Sequence, residues 1–228
     1  MLALLLSIAI SFGSDQCPTD RQNYFCLPSD RILNAEMDST SFYLIPAQII
    51  GLYYKELQNL GSPLVLDAKW ESPFFGAGVS FYQNQFKLMI LGGTARIEGM
   101  TKDAYAAIVC HELGHILGGE PRQSISGAEW SSAEGQSDYF AASNCLPRYF
   151  SMKGVKKDEL DLRIEKAGFE MINSFLPFDS NSHETEIERD EVELPVVETT
   201  LFNKYPSLQC RYLTFRNRTA RSSCWFRQ

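Results

Sequence analysis

Two histidines four residues apart constrain this chain more than any other feature. His111 and His115 enclose Glu112 in a segment whose apolar residues recur at helical intervals. Thr101 suits the N-cap of this helix, and a pair of glycines from residue 118 suits its end. On a helix, residues four apart lie one turn apart on the same face. Both imidazoles could therefore bind a single ion.

This spacing indicates a particular chemistry. Zinc accepts imidazole and carboxylate ligands, and catalytic zinc sites keep one position open for water. Water bound there loses its proton near neutral pH, and a neighbouring carboxylate can take that proton and pass it to a leaving amine. We therefore predict Zn²⁺ as the cofactor, His111 and His115 as ligands, and Glu112 as the general base.

A catalytic zinc site needs a third protein ligand. Glu134 and Asp138 are four residues apart in a predicted helix over residues 132–145, so they share a face. Glu134 is the predicted third ligand, and Asp138 is predicted to accept the second ring N–H of a ligand histidine. A site with Asp138 as ligand and Glu134 outside it stays open. Pro121 stands where a HExxHxxGxxH pattern requires histidine, which excludes that class.

These motifs together resemble the gluzincin zinc peptidases. In local sequence they resemble the Ste24/HtpX-like peptidases most closely. Residues 100–115 resemble that group's zinc helix, and Glu134, Asp138 and Ala141 match its E-x-x-x-D-x-x-A element. Residues 205–211 resemble its His-Pro segment more weakly, because Tyr205 stands where the family usually has histidine. The family's transmembrane helices have no counterpart here, and the likeness covers mainly residues 80–145.

The resemblance implies a fold and two further site residues. The fold would be a minimal zincin-like domain, with the zinc-binding helix under a small mixed sheet whose edge strand binds the substrate backbone. Tyr205 would donate its hydroxyl to the developing oxyanion, and Arg211 would orient a carboxylate. His183 is a less favoured candidate for the oxyanion donor.

Hydrophobic periodicity and turn residues predict an α+β fold with a mainly helical C-terminal part. Further helices are predicted over residues 46–60 and 157–173, a strand over 63–67, and a hairpin pairing 78–82 with 86–91.

The rest of the chain predicts its organisation and compartment. Residues 1–14 are predicted to be a signal peptide and 15–228 a single domain, with an acidic mobile loop at 179–193 and a basic, solvated tail at 211–228. Six cysteines favour disulfides in an exported (periplasmic or secreted) protein. The short sequence separations suggest pairing the first two cysteines and the last two, which leaves Cys110 and Cys145, although fifteen pairings are possible.

The predicted function is hydrolysis of peptide bonds in a polypeptide substrate by a monomeric zinc endopeptidase. A net charge of −7 argues against a nucleic-acid partner, and no stable membrane span is expected. Two other classes stay open: a zinc-site binding or inhibitory module that has lost turnover, and a disulfide-bonded structural domain without metal.

Overall fold

The computed structural model describes residues 26–27, 36–178, 186–190 and 192–228. The predicted signal peptide and part of the predicted acidic loop lie outside these ranges. The described chain forms an α+β fold, as predicted. Its elements are α1 (Ser39–Leu52), α2 (Tyr54–Asn59), β1 (Leu64–Lys69), β2 (Ala77–Tyr82), β3 (Gln85–Leu91), α3 (Gly93–Arg96), α4 (Lys102–Leu117), α5 (Glu134–Phe140), α6 (Leu146–Met152), α7 (Leu160–Phe175) and α8 (Leu208–Arg216). A π-helical segment, Ala141–Cys145, joins α5 to α6, and a 3₁₀ turn, Leu176–Phe178, follows α7.

The sheet is small and mixed, as predicted. The central strand β3 pairs in parallel with β1 and antiparallel with β2. Strands β2 and β3 form the predicted hairpin, whose two turn residues Gln83 and Asn84 have φ angles of 49° and 59°. Positive φ at both positions is typical of the tight turn that matches the twist of a hairpin.

The first helix corrects a prediction, because it begins at Ser39 and not near Pro46. The side chain of Asp38 caps it, accepting a hydrogen bond of 2.6 Å from the Ser41 amide. Pro46 lies inside α1 and has no N–H to donate to the carbonyl of Phe42. The hydroxyl of Tyr105 on α4 donates to that carbonyl instead, at 3.1 Å. A tertiary contact thus compensates for the proline.

Helix α4 carries the histidine pair and runs through the core. Thr101 is its N-cap, as predicted, and accepts a hydrogen bond of 3.0 Å from the Ala104 amide. Every residue from Ala104 to Ile116 is buried, because α1, α5, α7 and β2 all pack against the helix. Gly118 ends it, as the glycine pair indicated.

The C-terminal part corrects a second prediction, since residues 211–228 are not a solvated tail. Tyr212 and Phe215 of α8 are buried, and Trp225 beyond the helix has no exposed surface. Leu208, Tyr212 and Phe215 follow helical spacing and form an apolar face, which the arginines between and after them obscure in the sequence. In the described part of the acidic loop, the Glu188 backbone makes two hydrogen bonds of 2.9 Å with the side-chain amide of Gln209.

Two of the predicted disulfides are present, Cys110–Cys145 and Cys210–Cys224. The predicted pairing of Cys17 with Cys26 includes Cys17, which lies outside the described residues. Disulfides form and persist in oxidising compartments, so these two bonds suggest an exported environment. Within the described ranges, no helix is both long enough and apolar enough to cross a membrane.

Candidate metal centre

Side chains from two packed helices converge on one buried point. His111 and His115 come from α4, and Glu134 comes from the first turn of α5. The Glu134 Oε2 atom lies 3.2 Å from His111 Nε2 and 3.6 Å from His115 Nε2. The potential ligand atoms of the three residues all lie within 4.8 Å of one another. This buried group could hold a metal ion.

The other ring nitrogen of His111, Nδ1, contacts a buried ion pair formed by Asp138 and Arg211. His111 Nδ1 lies 2.8 Å from Asp138 Oδ1. Arg211 donates from Nε to Asp138 Oδ2 at 2.8 Å and from Nη2 to Oδ1 at 2.9 Å. Burial by itself would raise the pKa of Asp138, but Arg211 and His111 together hold that pKa well below its usual range. Asp138 is therefore an ionised acceptor, and Nδ1 of His111 carries a proton.

His115 is oriented by neutral groups. Its Nδ1 lies 3.0 Å from the carbonyl oxygen of Ser132, which can only accept. The hydroxyls of Ser131 and Ser137 lie 3.1 Å and 3.0 Å from the same nitrogen. Nδ1 of His115 therefore also carries a proton, and its Nε2 is left as the ligand atom.

The side chains fit a cation. When both imidazoles are neutral, two nitrogen lone pairs and a carboxylate oxygen face each other in a site that water barely reaches. Glu134 Oε2 is buried, and among the described residues no hydrogen bond to it has favourable geometry, although His111 Nε2 lies 3.2 Å away. Such acceptors are costly to bury unless a cation or a proton lies among them. In the metal-free protein, burial opposes the charge on His111, but Asp138 and Glu134 prevail and raise its pKa to about 10.

Glu112 lies between the two histidines in sequence and is also buried. Burial raises its pKa, and the nearby charges of His111 and His115 oppose that rise. A carboxyl group with a raised pKa accepts a proton more readily than an ordinary glutamate. The site thus contains a carboxylate suited to proton transfer beside the possible metal ligands.

Tyr205 reaches the same site from the segment before α8. The residue as a whole is 66% exposed, yet partial burial of its phenol and then the charges of Glu134 and Glu112 raise its pKa, so the phenol keeps its proton. The Arg211 guanidinium lies 5.6 Å from its ring centre. Arg211 itself is bonded to Asp138, so it acts on the ligands through that carboxylate. His183 lies outside the described residues.

The arrangement also bears on the alternative ligand set. Both oxygens of Asp138 are engaged by Arg211 and His111, whereas Glu134 faces the free ring nitrogens. The structure therefore places Glu134, and not Asp138, in the possible metal group.

Sequence reasoning missed the serines around His115. Serine is too common at surfaces and turns for its position near Glu134 to have signalled this role.

Comparison of the chain with protein-family models, with curated proteins and with solved structures finds no match. The functional argument therefore depends on the geometry of the site.

Proposed function

We propose that this protein is an exported zinc-dependent endopeptidase. The observation that carries the proposal is the convergence of His111 Nε2, His115 Nε2 and Glu134 Oε2 beside the buried carboxyl group of Glu112. A site that serves only structure is usually closed by four protein ligands. Three ligands with a proton-accepting carboxylate next to them are typical of a site that leaves a position open for reaction.

Two nitrogens and one carboxylate oxygen form a donor set that zinc accepts. A bound zinc ion would polarise a substrate carbonyl and lower the pKa of a water molecule. Asp138 and the backbone carbonyl of Ser132 hold the two imidazoles in the tautomer that presents Nε2 as ligand. The resemblance to gluzincins in the sequence agrees with this assignment.

The remaining roles belong to groups around the ligands. In this proposal Glu112 removes the proton from the attacking water and delivers it to the leaving amine. Tyr205, whose phenol stays protonated, donates a hydrogen bond to the oxygen on which negative charge develops. Strand β2 lies at an edge of the sheet and packs against α4, so an extended polypeptide could pair with its backbone.

The test is hydrolysis of an unfolded, unselective protein substrate by the zinc-loaded protein and by Glu112→Gln prepared identically. We expect cleavage by the wild type and a loss of at least about a hundredfold in the variant, the usual size of a lost general base. Zinc content measured on both proteins is the control, because Glu112 is not a proposed ligand. Equal activity at equal zinc content would contradict the assigned role of Glu112.

A binding or inhibitory module with a zinc site is the second candidate, and Tyr205 in place of the family's histidine is the feature that favours it. The same experiment separates the two. A zinc-loaded wild type without hydrolysis on a broad set of unfolded substrates would favour the module.

A further inference from the structure

The possible ligand Glu134 lies at a helix start that its own sequence does not secure. It is the first residue of α5, and the N-cap residue Ala133 makes no side-chain hydrogen bond to the helix. Helix starts usually depend on such a cap, because the first amides have no partner within the helix. Contacts from elsewhere in the chain must therefore fix the first turn of α5.

Trp225 supplies the first of these contacts. A β-carbon added to Gly135, the residue after Glu134, would lie 2.3–2.7 Å from atoms of the Trp225 indole. The α5 backbone thus rests directly on the indole, and only glycine allows this approach. The indole is fully buried, and its Nε1 donates to Thr214 Oγ1 of α8 at 3.2 Å. Trp225 is thereby held between α8 and the start of α5.

Arg221 supplies the second contact. Its Nε donates to the side-chain oxygen of Gln136 at 2.7 Å. Gln136 in turn donates from Nε2 to the Gly118 carbonyl at the end of α4, also at 2.7 Å. Arg221 also donates from Nη2 to the Glu120 carbonyl at 2.9 Å. Through these bonds, the first turn of α5 is joined to the end of the helix that carries both histidines.

The segment that makes both contacts, residues 221–225, is itself anchored. The disulfide Cys210–Cys224 ties it to α8, one residue before Arg211. The Leu201 amide donates to the Trp225 carbonyl at 2.9 Å. Two neighbouring parts of the C-terminal region thus reach the metal group, Arg211 through Asp138 and residues 221–225 through the turn that carries Glu134.

We infer that residues 221–225 form a positioning element for the metal ligand Glu134. They hold the uncapped first turn of α5 against the end of α4, so that the carboxylate stays within reach of both histidines. The inference rests on the metal site of the proposed function, but it does not require peptidase activity. On this inference, residues 221–225 contribute to metal affinity as well as to the packing of the core.

The experiment measures zinc affinity, by competition with a chromophoric chelator, for the wild type, Arg221→Ala and Arg218→Ala. Arg218 is the matched control, because it lies three residues away and pairs with Asp161 of α7 instead of with a residue of α5. Loss of a direct outer contact to a metal ligand weakens binding by roughly tenfold or more. Arg221 contacts the turn that carries Glu134 and not Glu134 itself, so its loss should have an effect at the lower end of that range. We expect about a tenfold loss for Arg221→Ala and less than about a twofold loss for Arg218→Ala.

Unfolding by urea with zinc removed separates positioning from stability. A positioning role predicts that Arg221→Ala and Arg218→Ala unfold at similar urea concentrations while only the first loses zinc affinity. Gln136→Ala added to Arg221→Ala should weaken zinc binding further, because it also removes the bond from Gln136 Nε2 to the Gly118 carbonyl at the end of α4. Wild-type affinity in Arg221→Ala, or equal losses of affinity in both single variants, would overturn the inference. A wild type that binds zinc without hydrolysing substrates would refute the peptidase and leave this inference standing.

Discussion

The buried ion pair between Arg211 and Asp138 allows a quantitative prediction. Arg211 is 6% exposed and Asp138 has no exposed surface. Two hydrogen bonds of 2.8 Å and 2.9 Å join them. Removing one member of such a pair leaves an uncompensated buried charge, at a cost of about 3–5 kcal/mol. In the metal-free protein, protonated His111 still pairs with Asp138, so we expect Arg211→Met to cost about 3 kcal/mol, the lower end of that range.

The assay is urea unfolding of the metal-free protein with its disulfides intact, for Arg211→Met, Asp138→Asn and the double variant. The double variant should be less destabilised than the sum of the single ones by about 2–3 kcal/mol, because the charges depend on each other. The pair Lys87–Asp67, at 2.7 Å on the sheet surface, is the control. Its Lys87→Met variant should lose at most about 1 kcal/mol.

Additive effects of the Arg211 and Asp138 substitutions, within about 0.5 kcal/mol, would refute this reasoning. They would mean that solvent or a rearranged neighbour compensates each charge separately.

Three other predictions follow from single features of the structure. Tyr105→Phe leaves the Phe42 carbonyl without its donor and should cost about 1–3 kcal/mol in unfolding free energy, and Pro46→Ala added to it should restore part of the loss by supplying an N–H. An absence of rescue would refute that compensation. Zinc at one hundred times its dissociation constant should stabilise the protein by about 2.7 kcal/mol in thermal or urea unfolding, and a chelator should abolish the gain. In the metal-free protein the pKa of His111 is about 10, above the roughly 6.5 of an unfolded histidine. Its contribution to stability is therefore complete below about pH 6.5 and is lost as the pH rises toward 10. Urea unfolding across this range should show that loss without zinc and little of it with zinc bound, whereas identical pH profiles would contradict the assignment.

Local rules in the sequence determined much of the fold. The N-cap at Thr101, the glycine after α4 and the hairpin turn were all predicted, because caps and tight turns depend on a few neighbouring residues. The spacing of His111 and His115 likewise places both rings on one helix face, whatever surrounds that helix. Glu134 and Asp138 were predicted to share a face for the same reason.

Tertiary structure decided what local rules could not. Pro46 lies inside α1 because Tyr105, fifty-nine residues away in the chain, donates to the carbonyl that the proline leaves unpaired. Residues 211–228 are not a solvated tail, because Arg211 binds the buried Asp138 and the Trp225 indole packs against Gly135, both on α5. The charges of those arginines signal solvent exposure when they are read alone.

The assignment of the site residues divides between sequence and tertiary structure for the same physical reason. The sequence by itself determined which side chains could bind a metal, because ligand chemistry belongs to single residues and their helical spacing. The sequence favoured Glu134 as ligand and Asp138 as acceptor but left the reverse arrangement open. The tertiary structure decided that Glu134 faces the ring nitrogens, and it added the Ser132 carbonyl as the acceptor for His115. Those choices depend on how α4, α5 and α8 pack together, and packing over such sequence distances leaves no local signal.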